Sequence, residues 1–201
     1  MKKTASYVLL LALSLSSAVG FAQEAATKVV DRLHSELLAV MKAGSSLSFK
    51  DREARLAPVL EEVFDFDAIA KIVTGEHWGS LAEEKRSQFR ETFKRLSVAT
   101  YADNFAGFSG ETFSTDSTED KRGAQLVKTT ITDSEGHKTP LHYLLVRHGD
   151  AWRVVNVVAD GVSDLNLKRA EYDSIIASQG IDALVAKLEA KVASYEGSSK
   201  H

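Results

Sequence analysis

Few residues in this chain are of a type and spacing that could do chemistry. The six histidines are His34, His77, His137, His142, His148 and His201, and none is spaced as a helical metal-binding pair. His142 is followed at once by Tyr143, and Asp160 falls on the neighbouring expected strand, so the three could form an acid–base group at the mouth of a small hydrolase or isomerase. A nucleophile, a group to orient the base and a set of oxyanion donors are all missing from that arrangement. The plainer reading turns His142 outward and makes Asp160 part of a turn. Asp65 and Asp67 are paired carboxylates, but a helix N-cap at either position explains the residue type. His77-Trp78 could ligate or stack on a ligand. It reads more simply as a helix end followed by a packing aromatic.

Motifs for other chemistries are absent. The chain has no glycine-rich phosphate loop, no GxSxG and no HExxH. It has no cysteine, so no disulfide, thiolate metal site or lipid-modified cysteine is available. A formal charge of −3 argues against a nucleic-acid partner, which calls for a basic face. No metal or cofactor is expected.

Apolar residues remain in excess. Thr139–Val162 reads TPLHYLLVRHGDAWRVVNVVADGV, two β-branched and aromatic runs joined at Gly149-Asp150, which is a hairpin signature. Simple alternation through Trp152–Val158 puts Trp152, Val154, Asn156 and Val158 on one face and Arg153, Val155 and Val157 on the other. A strand apolar on both faces needs cover on both, or a cavity holding something apolar. The candidates to line such a cavity are Leu126, Ile131, Tyr143, Leu145, Trp152, Val154, Val155, Val157 and Val158 from the strands. Tyr101, Phe105 and Phe108 at the end of a long helix join them, with Leu165, Leu167 and Tyr172 from the next. A filled core is the alternative.

The elements that must position these residues follow from periodicity. Helical spacing covers Glu24–Ala43, then Ser48–Val63 with Ser48 as cap and Pro58 inside it, then Phe64–Ile72, then Leu81–Gly107. Four strands are expected at Glu111–Ser117, Ala124–Asp133, Thr139–Arg147 and Trp152–Val162, with short links that give an antiparallel meander. Helices return over Ser163–Ser178 and Ile181–Ala193, separated by Gly180. The fold class is α+β: a four-stranded, twisted antiparallel sheet covered by N- and C-terminal helices, cone-like, with an apolar pocket between sheet and helices. At 201 residues, with 44% hydrophobic and 26% charged residues, one domain with a substantial core is expected, over 23–195. Residues 196–201 are expected to be a flexible tail.

The first 22 residues have the form of a secretory leader. Lys2 and Lys3 precede the apolar run Tyr7–Leu15, and the small-residue stretch Ser16–Ala22 ends at a cleavage site after Ala22. The apolar run is too short to span a bilayer comfortably. Loss of the two lysines takes the formal charge from −3 to −5. An exported, cysteine-free, acidic monomer points to the periplasm.

Several blocks resemble one family. FDFDAIAKIVTGEHW at Phe64–Trp78, the helix ending in Thr100-Tyr101, DAWRVVNVVADGVS at Asp150–Ser163 and GIDALVAKLEAK at Gly180–Lys191 occur in the order found in MlaC-like proteins. These are also known as toluene-tolerance auxiliary or phospholipid-binding proteins. The resemblance runs from Val29 to Lys191. SDLNLKRAEYDSII at Ser163–Ile176 is similar to the hopanoid-associated HpnM branch, and Asn156 stands where the family often has Asp. The resemblance implies a soluble carrier, not an enzyme, with acyl chains held between sheet and helices. It also implies a cargo of phospholipid or hopanoid, and transient docking to an outer-membrane complex and an inner-membrane MCE/ABC complex.

Overall fold

The computed structural model describes the backbone of residues 9–198 and the side chains of residues 20–197. The expected leader lies partly outside these residues. Positions 9–22 are the start of a continuous helix, α1 (Leu9–Ala43). Among the described residues no helix is long and apolar enough to cross a membrane.

After α1 come α2 (Phe49–Val63), α3 (Phe66–Thr74), a 3-10 turn at Gly75–Ser80, and α4 (Glu83–Asn104). The caps are those that the residue types dictate. The Ser48 hydroxyl accepts from the Asp51 N–H at 3.2 Å while the Asp51 carboxylate accepts from the Ser48 N–H at 3.0 Å, a reciprocal capping box. Pro58 sits inside α2 without ending it. Asp65, rather than Asp67, caps α3 through the Ala68 N–H at 2.9 Å. On α4 the expected span is trimmed at both ends, because Ala82 is extended (ψ 149°) and Phe105 has left helical geometry (ψ 35°).

The sheet contains β1 (Thr112–Lys121), β2 (Ala124–Thr132), β3 (Lys138–His148), β4 (Ala151–Ala159) and β5 (Val162–Ser163), in that spatial order and antiparallel throughout. It therefore has five strands, not four. Asp160 and Gly161 both have positive φ, 49° and 77°, the geometry of a tight two-residue hairpin turn. They fold Val162–Ser163 back onto Ala159 and Val158, ending β4 where the sequence reading let it run on. β1 also reaches further than expected, to Lys121, because Arg122-Gly123 forms the same kind of turn with φ of 54° and 91°.

α1 lies across one face of the sheet. Thr27 meets Thr118 at 2.9 Å, and the ring of His34 stacks on Phe113 with centroids 4.1 Å apart. Val30, Leu33, Leu37 and Val40 are fully buried, at helical spacing. The opposite sheet face carries the Glu119–Lys128 ion pair and half-exposed Leu126, His142 and Val146. α5 (Asp164–Gln179), capped by Ser163, and α6 (Ile181–Ser198) close the domain against α3 and α4. α6 includes Glu196 and the two residues after it; the rest of the expected tail lies outside the described residues.

Candidate functional site

The register of β3 and β4 decides which side chains face inward. Leu145 pairs with Val154 and Leu144 with Asn156, which leaves Val155 as an extra residue, a β-bulge. Beyond the bulge the alternation is reset. Val157 lies opposite Tyr143 on the same face as Val154, and Val158 lies opposite His142 on the other face. The strict alternation expected for Trp152–Val158 is corrected accordingly. The consequence is an inward row of Tyr143, Val155 and Val157.

That row lines a cavity of about 270 Å³ between the sheet, α2, α3, α4 and the start of α5. Phe64 and Phe66 enter from the α2–α3 junction, where Phe64 bridges to Val154 of β4 and the Asp65 N–H donates to the Val154 carbonyl at 3.0 Å. The intervening Asp65 and Asp67 point the other way, into a charged basin. There Asp65 meets His148 at 2.7 Å and Asp67 meets Arg90 at 2.8 Å. α4 contributes Phe93, Ser97, Thr100, Tyr101 and Asn104, one helical stripe. Tyr101 stacks on Phe105 (centroids 5.6 Å apart) and meets Phe64 edge-on (5.8 Å).

The polar atoms of the lining are mostly occupied already. Ser97 donates to the Phe93 carbonyl at 2.9 Å and Thr100 to the Leu96 carbonyl at 2.8 Å, so the interior meets chiefly their carbon atoms. Asn156 accepts from Ser163 at 3.1 Å. Burial, with Tyr143 and Asp164 nearby, holds the Tyr101 phenol well above its ordinary pKa, and burial does the same to Tyr143; both stay protonated. Asn104, Ala159 and Asp164 are exposed, so the mouth lies between the end of α4, the end of β4 and the start of α5. Asp164 and Lys168 form an ion pair there.

Of the residues expected from sequence to line a cavity, Tyr101, Phe105, Tyr143, Val155, Val157 and Leu165 do so. Leu145 and Val154 are fully buried in the core, and Ile131 sits opposite Phe113 at the β1 side of the sheet. Leu126 and Val158 lie on the far face. Trp152 is buried under the Arg147 guanidinium, 5.6 Å from the ring centroid. Phe108 is 42% exposed beneath Lys42, and Leu167 is 60% exposed. Tyr172 packs edge-on against Phe89 and Phe93. The sequence reading did not include Leu60, Phe64, Phe66, Ile69, Phe93 and Leu141, which the cavity does. The spacing of 93, 97, 100, 101 and 104 was the available signal for α4.

The acid–base trio does not converge. His142 and Tyr143 are neighbours on β3 and face opposite sides of the sheet, while Asp160 sits in the exposed β4–β5 turn. His77 pairs with Asp173 of α5 at 3.0 Å. Among the described residues no cluster of three His, Asp or Glu side chains could hold a metal ion.

Comparison with known proteins gives one consistent result. The family model described as MlaC protein matches residues 31–190. The chain is 26% identical over 159 residues to toluene tolerance protein ttg2D of Pseudomonas putida, covering 77% of this chain and 74% of that one. It is 27% identical over 122 residues to the intermembrane phospholipid transport system binding protein MlaC of Haemophilus influenzae, covering 58% of this chain and 57% of that one. The solved structure of a phospholipid-binding protein from Ralstonia solanacearum, in complex with a phospholipid, superposes with a TM-score of 0.75 at 20% identity. The match covers 87% of this chain and 98% of that one.

Proposed function

The chain belongs to the MlaC family, and from that premise we propose that it is a phospholipid carrier that takes acyl chain into the cavity between sheet and helices. One observation carries the reading: the cavity is walled by aromatic and aliphatic side chains, and its Ser97 and Thr100 hydroxyls are already bonded within α4. Such a lining offers apolar volume and few polar groups left to satisfy. That suits a hydrocarbon chain and suits little else.

The energetics fit a carrier. Burying a methylene gains about 0.8 kcal/mol, so a sixteen-carbon chain gains on the order of 12 kcal/mol on leaving water. A free phospholipid would rarely cross an aqueous compartment unaided. A bilayer offers a similar gain, so exchange between membrane and pocket is close to neutral and direction must come from partners. We place the protein in the periplasm, released from its leader after Ala22. It would act there as a monomer that docks in turn on an outer-membrane complex and on an inner-membrane ABC transporter with an MCE-type subunit. Phospholipid cargo is favoured by the relatives' names; a hopanoid is the outcome that would place the chain in the HpnM branch.

Native mass spectrometry of the exported protein, with organic extraction, tests the reading. A stoichiometric phospholipid is expected. A clean apo mass after incubation with phospholipid vesicles would overturn it. His142→Ala should leave the cargo unchanged, whereas a hydrolase or isomerase using His142 would lose turnover.

A further inference from the structure

The apolar cavity opens beside charge. Lys168 lines its mouth and also lines an open groove of about 560 Å³ between α4, α5 and α6, so mouth and groove are continuous. The groove floor is Leu96, Tyr172 and Leu188, all buried, while its rim is charged. Asp164, Lys168 and Glu171 lie along α5 at i, i+4 and i+7, on one helical stripe, and Lys187 and Lys191 lie one turn apart on α6. The two helices fold back on each other at Gly180. Glu171 and Lys187, at similar separations from Gly180, meet at 2.8 Å, which fixes how the helices align. One turn nearer the mouth, the same alignment sets Lys168 opposite Lys191.

The carboxylates of the rim are already paired, Asp164 with Lys168 and Glu171 with Lys187. No carboxylate pairs with Lys191 among the described residues; its ammonium lies 4.9 Å from the Tyr195 ring centroid. The rim therefore holds three ammoniums and two carboxylates, an excess of one positive charge.

We infer that this groove is a head-group site selective for a phosphodiester with an uncharged alcohol, the head of an anionic phospholipid, with the phosphate held between Lys168 and Lys191. This rests on the carrier reading and narrows its cargo. An ammonium has three donors, so Lys168 keeps Asp164 while it bonds the phosphate. One phosphodiester brings one negative charge and neutralises the excess. An ammonium on the head group would restore that excess and find both carboxylates paired. Phosphate and glycerol together are about ten heavy atoms, on the order of 300 Å³ at the liquid-water share of roughly 30 Å³ each, which the groove accommodates.

The test offers the delipidated, exported protein mixed vesicles holding equal amounts of phosphatidylglycerol and phosphatidylethanolamine with identical chains. Native mass spectrometry reads the ratio retained. Phosphatidylglycerol should be enriched about threefold or more over the vesicle ratio. Lys191→Gln should return the ratio to parity with total lipid per protein unchanged. Lys85→Gln removes an equal charge, paired with Asp182 outside the groove, and should leave the enrichment intact. Parity or an excess of phosphatidylethanolamine in the unaltered protein, no shift from Lys191→Gln, or equal shifts from both substitutions would overturn the head-group site and leave the carrier standing. Retention of neither lipid would overturn the carrier reading, and the head-group site with it. Inorganic phosphate titrated into the lipid-free protein is expected to show no saturable binding. Saturable binding that Lys191→Gln abolishes would assign the lysines to free phosphate and overturn the head-group site.

Discussion

The imidazole Nε2 of His34 on α1 lies 3.0 Å from the phenolic oxygen of Tyr143 on β3, and both side chains are almost wholly buried. Tyr143 therefore does two things: its ring lines the cavity and its hydroxyl ties the sheet to α1. Burial lowers the His34 pKa from 6.5 to about 4, so the ring is neutral in the folded protein at ordinary pH.

That shift makes stability depend on pH in a defined window. In the unfolded chain His34 takes a proton near 6.5, and in the folded protein only near 4, so between those values the unfolded state binds more protons. Stability is then intact above about pH 6.5 and falls as the pH drops toward 4, by at most about 3 kcal/mol. Urea unfolding at a series of pH values should show this slope, and His34→Gln should flatten it. Identical slopes in the two proteins would count against His34 as the source.

Filling the cavity should separate binding from folding. Val157 faces it without being part of the closed core. Val157→Phe should cut phospholipid recovered per protein severalfold, while the melting point of the lipid-free protein stays the same or rises, as cavity filling adds about 0.5–1 kcal/mol. Lipid phosphorus and a thermal melt of delipidated protein measure the two effects. Unchanged lipid content would show that cargo sits elsewhere.

Asp65 joins three elements, capping α3, meeting His148 at the end of β3 and bridging to β4 through its backbone. Burial raises its pKa, but the Ala68 N–H, the hydrogen bond and charge of His148, and Arg153 together outweigh that and hold it below 3.8. Its contribution is present above pH 3.8 and lost only as the pH falls through the lower folded value, a window distinct from that of His34. Asp65→Ala should cost about 1 kcal/mol in urea unfolding, mainly from the lost cap, since His148 is exposed and can turn to water. Asp65→Asn, which keeps an acceptor for Ala68, should cost less. A larger loss for Asn than for Ala would be wrong for a cap.

Trp152 is buried, and its indole N–H has no protein partner among the described residues. Trp152→Phe removes that donor as well as some volume, so the two effects oppose each other and the net cost should stay below about 1.5 kcal/mol. Trp152→Ala leaves a void and should cost about 3–5 kcal/mol. Chemical denaturation distinguishes these. Equal costs would mean that the indole has a partner.

Local signals carried most of the architecture. Ser48 before a run of helix formers, Asp65 before FDAIAKI, Gly180 between two helices and Gly149-Asp150 between two apolar runs act within a few residues of themselves, so their meaning survives in one dimension. The same holds for Tyr101 and Phe105, four apart on one helical face. Asp160-Gly161 was equally local and equally a turn; the apolar residues on both sides hid it, and β5 with it. The bulge at Val155 is different in kind. Val154, Val155, Val157 and Val158 are all β-branched valines, so no polarity marks where the pleat is reset, and one extra residue exchanges the faces of everything after it. Only pairing with β3 decides that Val157 faces inward and Val158 does not. Phe64 and Phe66 reach the cavity because β4 pairs with the chain at Phe64, some ninety residues away in sequence. Apolar content set how much had to be buried; long-range strand pairing decided which of it would surround an empty space.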